Sequence, residues 1–461
     1  MCRVCGISLG RGTKRSMIAQ LAHYVIEPLR HDQPLRAGHA THNGTECNHS
    51  TSNKLVTRFR QRSKITKADL QTAVETQLIA GGFFLGANGD PPGTQSDKQR
   101  IRDLHSLNRN ERLLANSVFI REHGQVLLRE FAAGVEIAPE LICPQLEEVH
   151  PETVESDLFR FATSLWSVPV SQGFGRRLRF LVRDKHNGKL MGVFALGDPV
   201  FNLSARDDFV GWTSTDRRDR LVHVMDAYVV GAVPPYSQLI GGKLIAALMC
   251  SREIKKAYED KYLNATSVIS GESKRARLVL LTTTSALGRS SIYNRLDIPN
   301  GPQFVRIGNT KGYGHFHVSG DVFELMKRYL IQIGHPYASA HRFGMGPNWR
   351  FRVVRTALDH IGISGESVLK HGIEREVYAI PLAHNWRAIL LGNNVNVRSC
   401  AISAADIADF CLRRWIIPRS SRDQRYRDFH PSVLLAALNN GGPPSSWQAV
   451  PHSTAKHTTT I

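Results

Sequence analysis

Four residues near the middle of the chain carry the clearest chemical signal: Gln238, Gly241, Gly242 and Lys243. An apolar run from Leu221 to Val230, ended by Gly231 and Pro234-Pro235, precedes them, and Leu244, Ile245, Leu248 and Met249 follow at helical spacing. The order is a strand buried on both faces, a glycine-bearing turn and an amphipathic helix. Amides at such a helix start point outward and the helix dipole adds partial positive charge, which suits a phosphate. Gly241 and Gly242 have no Cβ to keep an anion off the backbone, and Lys243 would add a full charge. A plain helix start with a packing glycine fits the same residues.

Three other sets deserve a chemical reading. Arg206, Asp207, Asp208 and Trp212 lie in a polar connection just before the apolar run. Paired acids can hold a metal for nuclease chemistry, but no third carboxylate is in evidence. An Arg–Asp salt bridge beside a packed tryptophan fits better. Tyr313, His315 and His317 follow the glycines of a GYG turn, where they could stack on a base and contact phosphate. Cys2 and Cys5 form a C-x-x-C, and Cys47 with His49 could complete a zinc site. The long stretch between the two pairs argues against a compact structural site, so no metal is expected. Ser285, Ser290 and Ser291 have no convincing His–Asp partners for a serine hydrolase.

The elements that must position these residues follow from periodicity. Helices are expected over 63–80, from near Lys98, over about 110–132 and over about 152–165. The runs at Arg177–Val182 and Leu190–Leu196, joined through Asn187-Gly188, read as a hairpin. A helix over 241–258 should follow the central strand, then a buried run at Arg277–Thr283 and a short helical piece containing Tyr293. Phe304–Ile307 and His315–Val318 read as two further strands, with a helix from Val322 to Ile333. The remainder offers a basic helix in WRFRVVRTALDHIGI, a strand in EVYAIPL and a helix capped by Ser403. The expected division is a poorly ordered lead-in at 1–60, a helical region at 61–170, an α/β core at 171–334, an α+β region at 335–435 and a disordered tail at 436–461.

Composition bounds the function. The chain has 461 residues, 42% of them apolar, and lysine plus arginine exceed aspartate plus glutamate by 19. A surplus of that size suggests a polyanionic partner, nucleic acid first, against the plainer reading of a basic soluble enzyme. Arginines cluster at 58/60/62, 176/177/179, 217/218/220, 350/352/355 and 413/414/419/422. The longest apolar runs are too short to cross a membrane, and the first residues do not read as a secretory leader. The odd count of seven scattered cysteines fits a reducing compartment, so a cytoplasmic location is expected.

The order of hairpin, long strand, Q-x-x-G-G-K, helix, strand and tyrosine-bearing short helix resembles the core of the GNAT N-acyltransferases over roughly 178–320. That family carries R/Q-x-x-G-x-G/A, and Lys243 stands here where it has glycine or alanine. The resemblance implies a mixed α+β or α/β fold whose GNAT-like central sheet is flanked by helices, with a helical N-terminal region and an α+β C-terminal extension. It implies acetyl-CoA or another acyl-CoA as cofactor. Backbone amides around Val230 and Gly231 would take the pantetheine arm, and those of Gln238, Leu239, Gly241, Gly242 and Lys243 the pyrophosphate. Tyr293 would protonate the leaving thiolate, and Asp226 would accept the proton of an amine nucleophile. A longer resemblance covers about 95–430. GRRLRFLVRD, GKLMGVFALGDPVFNL, RDDFVGW, MDAYVVGAVPPYSQLIGGKLIAAL, TTSALGRSSIYNRL and IGNTKGYGHFHV are similar to blocks of the DruA-type proteins of the Druantia anti-phage defence system. It implies a bacterial defence or mobile-element setting, with other defence proteins as partners. Three functions stay open: an acyltransferase-like core with a basic surface, a non-catalytic nucleic-acid-binding subunit, and a metal-dependent nuclease.

Overall fold

A computed structural model describes residue 59 and residues 64–81, 97–170, 175–266, 275–336 and 347–439. The chain divides into Met1–Cys47 and Asn48–Ile461, and all described residues belong to the second unit. The expected lead-in apart from Phe59, the Cys2/Cys5 and Cys47/His49 pairs, and the tail beyond 439 lie outside the described residues.

Seven strands form one mixed sheet: β1 Pro144–Glu148, β2 Arg177–Asp184, β3 Leu190–Gly197, β4 Val224–Ala232, β5 Leu280–Thr284, β6 Val305–Asn309 and β7 Glu376–Pro381. Their spatial order is β1-β2-β3-β4-β5-β7-β6, so β4 lies in the middle. The β2–β3 hairpin turns at Asn187-Gly188 with Gly188 at φ 74°, a left-handed conformation that glycine adopts without strain. All eight residues of β3 are buried, as expected for a strand covered on both faces.

The β4–β5 pair is the one that positions the site. Val224, Met225 and Asp226 pair in parallel with Leu280, Leu281 and Thr282. Beyond Asp226, β4 runs on to Ala232 paired with β3 alone, while β5 turns to β7. The two strands therefore part in a wedge. The Thr283 hydroxyl bridges its apex by donating to the Ala227 carbonyl at 2.9 Å. A bulge opposite Ala195/Leu196, at Tyr228, bends β4 at the same point.

Helices cover both faces. One core packs α7 (Gly241–Leu248), α8 (Arg252–Tyr262) and α13 (Ala404–Cys411) on the sheet through Leu244, Ile245, Leu248, Ile254 and Ile407. The opposite core packs α3 (Ser117–Leu127) and α4 (Val154–Ser164) through Phe119, Phe161 and Leu158 onto Leu181 and Val193. A separate helical core joins α1 (Lys67–Ala80), α9 (Gly320–Gln332) and α10 (Pro347–Ile361) through Leu70, Val74, Met326, Leu330, Val354 and Leu358.

Several sequence expectations need correction. The expected helix 241–258 is two helices, because Ser251 in extended backbone starts the second. The first helix runs over Lys67–Ala80 and is capped by Thr66, whose hydroxyl accepts from Asp69 N–H, so it starts later than the expected 63–80. The piece bearing Tyr293 is a single 3-10 turn, Tyr293–Arg295. His315–Val318 is not a strand but a turn, closed by the Val318 N–H donating to the His315 carbonyl at 3.1 Å. Strand β1 falls in the region expected to be helical, and β7 in the expected C-terminal extension, yet both belong to the central sheet.

Candidate nucleic-acid interface

Asp226 marks the floor of the main cleft. It is the last residue of β4 to pair with β5, and its Oδ1 accepts from the Thr282 hydroxyl at 2.6 Å. Burial raises its pKa to about 6, against the lowering effect of the Thr282 hydroxyl and the Arg206 charge. Tyr293 lies in the neighbouring core, stacked on Phe304 and edge-on to Tyr378. Its hydroxyl is hydrogen-bonded to Thr283, and burial pushes its pKa up to about 12. Asp226 and Tyr293 thus bond to consecutive threonines of β5, whose side chains point to opposite faces of the sheet, so Asp226 faces the cleft and Tyr293 the helix-side core.

Above Asp226 opens a cleft of about 2570 Å3. Eight arginines and Lys311 line it, against Asp198, Asp207, Asp219 and Asp226. The acids are largely answered from within. Asp198 pairs with Arg176 at 2.6 Å, Asp207 with Arg206 and Arg217 at 2.7 and 2.8 Å, and Asp219 with Arg218 at 3.5 Å. The lining as a whole carries a cationic excess, to which Lys311, Arg350, Arg352 and Arg355 contribute. Helix α10 supplies three of these because Val353, Val354, Ala357 and Leu358 fix its other face in the helical core. Of the five arginine clusters, those at 176, 217/218 and 350/352/355 share this cleft; 413/414/419/422 does not line it, and 58/60/62 lies outside the described residues.

The wall at residues 313–316 is aromatic. Tyr313 stacks on Phe351 at 5.5 Å, and His315 tilts against the same ring at 4.6 Å. Phe316 stacks on His105 at 4.1 Å and meets His371 edge-on. Arg375 donates to His105 Nε2 at 2.7 Å, since a guanidinium has no acceptor, so that nitrogen carries no proton. Burial lowers His105 to about 3, and His315, His317 and His371 each to about 4. These imidazoles are neutral at ordinary pH, leaving the arginines and Lys311 to set the field.

Of the three residues expected to touch nucleic acid on this wall, Tyr313 and His315 line the cleft, while His317 is buried behind it against α1, where the Gln77 side chain donates to its carbonyl. Arg206 is also corrected. Its side chain is wholly buried and donates to Asp207, to the Val200 carbonyl at 2.8 Å and to the Phe201 carbonyl at 2.9 Å. Trp212 is buried, and its Nε1 donates to the Leu390 carbonyl at 2.8 Å. Asp207 borders the cleft with both oxygens paired to arginines. These three hold the cleft wall together. No group of three His, Cys, Asp or Glu residues suited to a metal occurs among the described residues.

The helix start at Gly241 lies away from this cleft. Gly241 is buried, and a Cβ there would lie 2.6 Å from the Tyr236 carbonyl oxygen, so packing alone requires glycine. Gly242 is half-buried beside Ile292. Lys243 Nζ donates to the Ile292 and Arg295 carbonyls at 3.2 and 3.3 Å and lies 5.0 Å from the Trp415 ring centroid. The Gln238 carbonyl accepts from Arg419 at 3.4 Å, and Leu239 is wholly buried. Gly231 has Trp166 against it, where a Cβ would approach the indole to 2.7 Å, and Val230 is partly buried in the sheet core.

The sequence profile of Druantia protein DruA matches residues 95–392. The chain belongs to the DruA family. The matched span holds α2 (Asp97–Ala115), the whole sheet and every residue of the cleft named above, so the cleft is built from family sequence. The Druantia protein DruA of Escherichia coli (strain UMEA 4076-1) is 44% identical over 386 residues, covering 83% of this DruA-family chain and 95% of that relative. No solved structure matches the chain. Sequence reading missed His105, Phe201, Phe351, His371 and Arg375, which stand in separate stretches with no local motif to join them.

Proposed function

We propose that this protein serves an anti-phage defence system by binding nucleic acid in the cleft above Asp226. The reading rests on family membership for its setting and on one observation for its chemistry: a large cleft lined by nine cationic side chains whose four acids are paired or pushed toward the neutral form. Phosphates entering it would meet a net excess of cationic side chains, nine against four acids, and would share or replace the carboxylates that now hold Arg176 and Arg217. The neutral histidines add hydrogen bonding without titrating near pH 7. Charge reversal tests this. Lys311→Glu combined with Arg352→Glu, both on the cleft wall, should weaken oligonucleotide binding by at least about tenfold at moderate salt. Unchanged binding would remove the cleft from the interface.

A second reading is favoured by the β4–β5 wedge. An acyl-CoA could supply an activated acyl group there, with its pantetheine arm along β4 at Val230 and Gly231 and its pyrophosphate near Gln238–Lys243. Asp226 would take the proton of an amine, and the Tyr293 hydroxyl would return one to the leaving thiolate. Fit requires Lys243 to release the Ile292 and Arg295 carbonyls and Ile292 to yield the space beside Gly242. Calorimetry with acetyl-CoA separates the readings, since no heat at millimolar ligand removes this one. Gly242→Val is the informative variant, because Gly241 is demanded by packing whatever the ligand.

A further inference from the structure

Two aromatic rings that line the cleft, from different segments of the chain, are partly exposed. Phe201, on the loop after β3, is 46% exposed, and Tyr313, on the segment after β6, is 38% exposed. Both are held in place. Arg206 fixes the loop by its bonds to the Val200 and Phe201 carbonyls, and the Arg217 guanidinium lies 5.3 Å from the Phe201 ring centroid. Tyr313 leans on Phe351, and its hydroxyl accepts from Arg355, which also pairs with Glu366 at 2.6 Å. Each ring is thus positioned by one set of contacts while part of its surface stays open among the cations of the cleft, where a planar base could stack.

A duplex would use the cations and not the rings, because its bases are stacked inside and it presents phosphates outward. A single strand uses both, its backbone tracking the charge while bases stack on the rings. We infer that the cleft takes nucleic acid as a single strand, with unstacked bases seated on Phe201 and Tyr313. This rests on the nucleic-acid reading above and names its substrate class. The recognising chemistry, base faces plus phosphodiester, is common to DNA and RNA.

The test is fluorescence anisotropy of the full chain with labelled single-stranded DNA, single-stranded RNA and a DNA duplex of the same sequence, at several salt concentrations. At least one single strand should bind more tightly than the duplex. Phe201→Ala and Tyr313→Ala should each weaken that binding by about 5- to 150-fold per lost stack while leaving the salt slope unchanged, and Phe201→Trp should retain it. Duplex binding as tight as the tighter of the two single strands, or alanine variants that bind that strand as the parent does, overturns the inference and leaves the nucleic-acid reading standing. Failure of all three ligands to bind overturns both. The two DNA and RNA arms decide which strand chemistry is preferred.

Discussion

Asp226 is the residue on which pH should act. Its pKa stands raised from 3.8 to about 6, so ionisation opposes the folded state between those values and above. The favourable contribution is complete below the unfolded value and is lost as pH rises through 6. Asp226→Asn should therefore be more stable than the parent at pH 7 to 8, by up to about 3 kcal/mol, with the gain vanishing toward pH 4. Chemical denaturation across that range measures it, and a gain that persists at pH 4 would contradict the account. An arriving phosphate would raise the carboxyl further, so affinity for oligonucleotide should rise as pH falls from 8 to 6 in the parent and stay flat in Asp226→Asn. Arg206 illustrates the opposite fate of a charged side chain. Its removal strands Asp207 and two backbone carbonyls in a buried wall, so Arg206→Ala should cost about 3–5 kcal/mol, read from the denaturation midpoint. A loss below about 1 kcal/mol would mean that the wall holds without it.

The wedge between β4 and β5 sets where these side chains meet. Much of its surroundings is readable from the chain: the Asn187-Gly188 turn, the apolar run of β4 and the capped α13 each announce themselves by local pattern. β1 does not, because Pro144–Glu148 is an edge strand with a single apolar residue and takes its conformation from pairing with β2. His315–Val318 misleads in the other direction. Its alternation reads as a strand, but the rings are drawn onto His105, Phe351 and His371, partners remote in sequence. The cleft is hidden for the same reason. The bond from Arg375 to His105 spans 270 residues, and no periodicity reports such a contact. Tyr228, Gly231 and Trp166 show what local sequence leaves out of the wedge itself: the bulge and the indole packed on Gly231 come from tertiary fit. Gly231→Leu should accordingly displace Trp166 and lower the melting temperature, and an unchanged transition would show that the indole is free to move.

Across the whole molecule, charge and burial combine into one pH and salt signature. Five imidazoles among the described residues, those of His105, His223, His315, His317 and His371, are held neutral chiefly by burial with pKa values lowered from 6.5 to about 3 or 4. The unfolded chain binds those protons first, so stability should fall as pH drops from 6.5 toward 4, and a melting temperature flat over that interval would contradict the burial. The net charge of +19 makes association with polyanions general, but only a cleft that neutralises a defined number of phosphates yields a defined slope. The decisive measurement is the dependence of oligonucleotide affinity on salt, for the parent chain and for Lys311→Glu with Arg352→Glu. For a single strand with about six phosphates neutralised, affinity should fall about 300-fold between about 50 and 200 mM salt. The double variant should bind more weakly and with a shallower slope; a slope near zero in the parent, or one that the cleft substitutions leave untouched, would contradict the account.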